Sequence, residues 1–175
     1  GDRGHEDALA TIIKNGRSVS KKAIYREGQK KIMELLENNR YLSAHNVPMI
    51  DARLEKDSFV MPYVKGEIAT QYFRRLLRED KNKFIAELEG FRNIVLQSSE
   101  VVAYDEVNWQ QFEPGWEKRK SDDPNIDKWS NLAFGSSEEQ ADIGVILRRG
   151  YIDLVSLNCF HTEDGFVFFD QEFYF

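Results

Sequence analysis

The chain is poor in several features that would narrow its function at once. It has one cysteine, Cys159, in 175 residues, so an intrachain disulfide is excluded and the thiol is expected to be a small buried hydrophobe. That usage is compatible with a reducing compartment. No apolar run reaches the roughly eighteen residues that a membrane-spanning helix needs, so no transmembrane segment is expected. The opening GDRGHEDALA lacks a signal-peptide pattern, and the expectation is a soluble, cytoplasmic domain. Positive charge is not in excess: 24 Lys and Arg stand against 30 Asp and Glu, a net charge of −6. A nucleic-acid partner is therefore not expected. His5 and His45 have no partners at metal-ligand spacing, which gives no support for a zinc site. No G-x-S-x-G or Cys/His arrangement suggests acyl transfer. Repeats and low-complexity tracts are also absent.

What is present is 41% hydrophobic and 13% aromatic, which argues for a globular fold with a real core. The length fits one domain. Leu9 to Tyr25 holds two β-leaning runs around Asn15-Gly16, a strong two-residue hairpin signal because both turn positions favour positive φ. REGQKKIMELLENNRYL then places Ile32, Leu35 and Leu36 at helical spacing. VPMIDARLEKDSFVMPYV reads as two short strands around the polar Glu55 to Ser58. GEIATQYFRRLL and KNKFIAELEGFRNIVLQ read as helices, the second with Phe84, Leu88, Phe91 and Val95 on one stripe. Glu100 to Gly135, with Trp109, Trp116 and Trp129, reads as an irregular insertion. Its tryptophans suit packing against the same domain or a partner interface, where Trp is favoured. Ser137 is placed to cap a helix carrying Ile143, Ile146 and Leu147, stopped by Gly150. The order predicts an α+β fold rather than regular βαβ alternation.

The chemistry concentrates in YIDLVSLNCFHTEDGFVFFDQEF, Tyr151 to Phe173. Asp164-Gly165 is a second hairpin signal between LNCFH and FVFF. Arms pairing about that turn bring Asn158 nearly opposite Asp170 at the open mouth. An amide oxygen and a carboxylate so held suit a hard divalent cation such as Mg²⁺, which takes only one or two carboxylates from protein. Asp153 lies at the entry to the same loop and can reach the same cavity without being a ligand. Asp and Asn at strand ends also cap turns through local side-chain bonds, the commoner role for any one of them taken singly. Three such groups phased by one hairpin in an apolar setting shift the balance, since burying them unpaired is costly. His161, in the hairpin arm, reads as a cross-strand surface residue.

D-L-V-S-L-N, Asp153 to Asn158, has the D-x₄-N spacing of the catalytic loop in protein-kinase-like folds, and F-D-Q-E, Phe169 to Glu172, stands where those folds carry D-F-G. The chain resembles the kinase-like domains of bacterial polysaccharide-biosynthesis proteins associated with glycosyltransferases and methyltransferases. It is more distantly similar to aminoglycoside and choline kinases. The resemblance implies a partial protein-kinase-like fold: a small lobe over about residues 9–65, then a large-lobe portion over about 66–175 with an insertion at about 100–135. It implies ATP and Mg²⁺ as cofactors, Asp153 as catalytic base, and Asn158 with Asp170 as metal ligands. The implied acceptor is a sugar or glycan hydroxyl in surface-polysaccharide biosynthesis. The implied partners are a glycosyltransferase or methyltransferase domain, which an inactive, pseudokinase-like module would scaffold.

The upstream half fits the same template. R-S-V-S-K-K-A-I resembles the strand bearing the phosphate-binding lysine. Period-two alternation puts Lys21 on the face of Val19 and Ala23, with Lys22 the alternative. Glu27 resembles the glutamate that opens the next helix and pairs with that lysine; Glu34 is the fallback. F-V-M-P-Y-V-K-G resembles the hinge, whose backbone from Met61 to Tyr63 would meet the adenine edge of the nucleotide. The sequence departs from the pattern in three places. No G-x-G-x-x-G occurs, Gly150-Tyr151-Ile152 stands where protein kinases have His-Arg, and Gln171-Glu172 replaces Phe-Gly. These departures make a protein kinase as such the less favoured member of the group.

Overall fold

A computed structural model describes residues 4–108 and 144–175. The chain divides into two compact units, Gly1–Ser99 with Arg149–Phe175, and Glu100–Arg148. The fold is α+β, built on antiparallel sheets.

In the first unit, β1 (Leu9–Lys14) and β2 (Ser18–Ala23) form a hairpin about Asn15-Gly16 as expected, but with a three-residue loop, since Lys14 pairs with Ser18. Asn15 and Gly16 both take positive φ, 51° and 60°, and the Arg17 N–H donates to the Lys14 carbonyl at 3.0 Å. The helix α1 (Gln29–Ala44) follows a single 3₁₀ turn at Arg26–Gly28. Its buried Ile32, Leu35, Leu36 and Leu42 recur at helical spacing and make the face that packs inward. It ends in a Schellman motif with Asn46 in the left-handed position at φ 59°: Val47 N–H reaches Leu42 O at 3.0 Å and Asn46 N–H reaches Ser43 O at 3.1 Å.

Two short strands follow as predicted, β3 (Arg53–Glu55) and β4 (Ser58–Pro62), and β4 inserts between β2 and β3. In that register Val19 faces Met61 and Lys21 faces Phe59. Phe59 and Met61 pack on Ile32, Leu35, Leu36 and Ile50, with Val19 and Ala23 against them. This sheet therefore presents one apolar face to α1, and Lys21 is the cation within it.

A second sheet comprises β5 (Glu67–Ile68), β6 (Cys159–Thr162) and β7 (Gly165–Phe168) in that order. Two helices, α2 (Ala69–Glu79) and α3 (Lys81–Leu96), cover it. The Asp80 side chain caps α3 by accepting from Lys83 N–H at 3.0 Å. Phe168 and Cys159 lie at the centre of the core, with Phe73, Phe91 and Leu154 around them. The predicted α3 stripe needs one correction: Leu88 is 45% exposed, and Phe84, Ile94 and Val95 flank Phe91 instead. Residues Glu67–Ile68, read as helical from sequence, are a strand because β6 is there to pair with them.

In the second unit, Val101 bridges Leu147 antiparallel, and Val102 N–H donates to Ile146 O at 3.0 Å. Ile146 and Leu147 are therefore extended, not helical as their spacing suggests, because they have a partner segment to pair with. Gly150, the expected helix stop, belongs to the first unit and exchanges two 3.1 Å backbone bonds with Phe175. Ser137 to Ile143 and the three tryptophans lie outside the described residues. Among the described residues no helix is long and apolar enough to cross a membrane.

Candidate functional site

The hairpin β6–β7 turns one residue earlier than Asp164-Gly165 suggests. Thr162 pairs with Gly165, so Glu163 and Asp164 form the turn and Gly165 opens β7 at φ 106°. The Thr162 hydroxyl fixes this choice by donating to Gly165 O at 3.1 Å and accepting from Asp164 N–H at 3.2 Å. The shift brings Phe169 rather than Asp170 opposite Asn158, with Phe169 N–H donating to Asn158 O at 3.0 Å. Asp170 stands one residue beyond, in the left-handed region at φ 57°. Few non-glycine residues adopt that region, and Asp and Asn are the ones that tolerate it best.

The Lys21 ammonium forms an ion pair with Asp170 Oδ1. The lysine side chain is 8% exposed and the aspartate side chain 27%. Asp170 Oδ1 is buried and has no hydrogen-bond partner among the described residues apart from that ammonium. Of the two lysines in the strand, Lys21 is the buried one and Lys22 is exposed, as period-two alternation predicts. Its partner is not the one predicted. Glu27 is exposed in the 3₁₀ turn before α1 and makes no ion pair with Lys21 among the described residues. Glu34 pairs with Lys30 at 3.6 Å and Lys31 at 3.7 Å. Sequence spacing cannot foresee this, because Asp170 arrives from the far end of the chain.

Asp153 and Asn158 meet at one backbone atom, which Gln171, the neighbour of Asp170, also reaches. The Asp153 carbonyl accepts from Val155 N–H at 2.8 Å, from Gln171 Nε2 at 2.9 Å and from Asn158 Nδ2 at 3.2 Å. The Asp153 carboxylate accepts from Glu172 N–H through Oδ2 at 3.2 Å. Asn158 spends its amide nitrogen on this turn, so its oxygen is the side-chain atom that could hold a cation. The 3₁₀ turn Ser156–Asn158 is held to α2 by a 2.7 Å bond between the Ser156 and Thr70 hydroxyls.

Three residues to which the sequence reading assigns no role hold this arrangement. Gln171, 2% exposed, donates from Nε2 to both Asp153 O and Phe169 O, at 2.9 and 2.8 Å. Asn38 of α1 donates to Gln171 O at 2.9 Å and accepts from the Tyr151 hydroxyl at 3.4 Å. Lys31 of α1 reaches Glu172 O at 3.3 Å and lies 3.5 Å over the Phe173 ring. Two adjacent buried asparagines in a helix, Asn38 and Asn39, are the signal available beforehand. A buried amide without partners costs about 1–3 kcal/mol, so such residues imply long-range partners.

The expected hinge is placed less favourably. Met61 is buried and paired with Val19 in the ladder. The Tyr63 N–H is taken by Arg17 O at 3.0 Å, which leaves its carbonyl as the group to offer an adenine edge. His161 is half-buried and, as expected, meets a cross-strand neighbour, Phe166, at 5.5 Å between rings; it also stacks on Tyr72 at 3.6 Å, and burial lowers its pKa from the ordinary 6.5. Cys159 is fully buried, and desolvation pushes its thiol up to about 12.

A cleft of about 480 Å³ is lined by Asp7, Glu27, Lys31, Glu34, Asn38, Glu172 and neighbours. It contains neither Lys21 nor Asp170. No cluster of three or more His, Cys, Asp or Glu suited to a metal occurs among the described residues; a Mg²⁺ site made of Asn158 and Asp170 would not require one. No protein-family model, curated protein or solved structure matches the chain.

Proposed function

We propose that the chain is an ATP- and Mg²⁺-dependent phosphotransferase-like domain with a protein-kinase-like fold, acting on a sugar or glycan hydroxyl. The observation that carries this reading is the Lys21–Asp170 ion pair, set beside Asp153 and Asn158, which share hydrogen bonds at the same turn. A cation and a carboxylate drawn from opposite ends of the chain are what triphosphate and its metal require at one place. The strand order β1-β2-β4-β3, with α1 against it, supports the small-lobe reading.

The donor set fits Mg²⁺: Asp170 Oδ1 has no hydrogen-bond partner besides Lys21, and the Asn158 amide oxygen is left over from the turn. Asn158 and Asp170 would hold the ion, which when bound neutralises phosphate charge. Lys21 would turn from Asp170 to phosphate oxygens. Asp153, with Oδ2 fixed by the Glu172 N–H, would use its other oxygen to orient the acceptor hydroxyl and take its proton. The acceptor class rests on the resemblance of Asp153 to Asn158 and Phe169 to Glu172 to polysaccharide-biosynthesis kinase-like domains.

One observation favours the pseudokinase-like reading, a module that binds a glycosyltransferase or methyltransferase domain without chemistry. Lys21 neutralises the carboxylate that the metal would need. Calorimetric titration of ATP with and without Mg²⁺, on wild type and Asp170→Asn, separates the two. Mg²⁺-dependent binding weakened by about tenfold or more in the variant supports the phosphotransferase reading; no nucleotide binding by the folded protein refutes it and leaves the scaffold.

A further inference from the structure

We infer that Asn38 and Gln171 are positioning residues through which helix α1 holds the segments bearing Asp153 and Asp170. The inference rests on the phosphotransferase reading for its consequence, but the coupling itself is a matter of contacts. Asn38, at 3% exposure in mid-helix, donates to Gln171 O at 2.9 Å. Gln171 carries the link on, since its Nε2 binds Asp153 O at 2.9 Å and Phe169 O at 2.8 Å. Between Phe169 and Gln171 stands Asp170, in its left-handed turn. The next residue, Glu172, gives its N–H to the Asp153 carboxylate at 3.2 Å and its carbonyl to Lys31 of α1 at 3.3 Å.

The steps made by Asn38, Lys31 and Gln171 are thus side chains donating to main chain, and the Glu172 N–H closes the relay on the Asp153 carboxylate. Asn is among the weaker helix formers, and burying its amide is favourable only when partners are supplied. Tyr151, which opens the loop of Asp153, completes the circuit by donating to Asn38 Oδ1 at 3.4 Å. One side chain on α1 therefore touches the segments bearing both acids.

The test uses Asn38→Leu and Gln171→Leu in the whole chain, with Asn39→Leu as control. Asn39, also buried in the same helix, donates to Ile50 O and bonds neither Gln171 nor Tyr151. Amide hydrogen exchange read by NMR is the first measurement. In either relay variant the Glu172 amide is expected to exchange about tenfold faster relative to α2 and α3 amides, while Asn39→Leu leaves that ratio unchanged. The second measurement is Mg²⁺-dependent ATP affinity, expected to fall by about tenfold in the relay variants and not in the control. Unchanged Glu172 exchange in a folded Asn38→Leu or Gln171→Leu protein overturns the relay. Faster exchange with undiminished Mg²⁺·ATP affinity overturns the positioning role. Faster exchange in a protein whose wild type binds no Mg²⁺·ATP supports the coupling and overturns the phosphotransferase reading instead.

Discussion

Replacing Asp170 by Asn tests the energetics of the site in the absence of any ligand. Asn tolerates the left-handed φ of 57° as well as Asp does, so the change removes charge without adding backbone strain. It leaves the Lys21 ammonium, 8% exposed, without its counter-charge. Breaking a fully buried pair costs about 3–5 kcal/mol. Asp170 is 27% exposed, so the lower part of that range applies, about 3 kcal/mol, which lowers Tm by about 6–12 °C for a chain of this size. Lys21→Met should cost less, because the Asp170 carboxylate can rehydrate at its exposed edge. The double variant leaves no buried charge, so the cycle is expected to give a coupling of about 1.5–3 kcal/mol. Urea unfolding of the four proteins measures it, and moderate salt should change it little because a buried pair is weakly screened. Coupling below about 0.5 kcal/mol would refute the reasoning, since Lys21 and Asp170 would then behave as a solvated surface pair.

Two further outcomes follow from single side chains. His161 has its pKa lowered below the ordinary 6.5, first by burial, so the unfolded chain binds the proton more readily than the folded one. Its stabilising contribution is therefore complete above pH 6.5 and is lost as pH falls through the folded value; His161→Phe should flatten the slope of stability against pH just below 6.5 while keeping the stack on Tyr72. Cys159, fully buried with a thiol pushed up to about 12, should resist a disulfide reagent at pH 8 until the chain unfolds. Labelling faster than unfolding would show that β6 opens locally.

Much of the scaffold was legible because it depends on local rules. Asn15-Gly16 set the first hairpin through positive φ, and the spacing of Ile32, Leu35 and Leu36 gave α1. Period-two alternation chose Lys21 over Lys22. Features decided by distant partners were not legible. Lys21 meets Asp170 rather than Glu27 because the residues after β7 reach β2 only in the folded chain. The turn at Glu163-Asp164 follows from the Thr162 hydroxyl, and the extended form of Ile146 and Leu147 follows from Val101 and Val102. Gln171 looked like a departure from a motif; its contacts make it the residue that ties Asp153 to the strand end.

The most direct measurement locates a metal. Mn²⁺ with ATP, titrated into the isotopically labelled protein, broadens amide resonances near the ion. The expected result is selective broadening of Asn158, Phe169 and Asp170, sparing the acidic cleft of Asp7, Glu34 and Glu37. Broadening confined to that cleft, or none at nucleotide concentrations that saturate ordinary kinases, would contradict a metal–nucleotide site at Lys21 and Asp170.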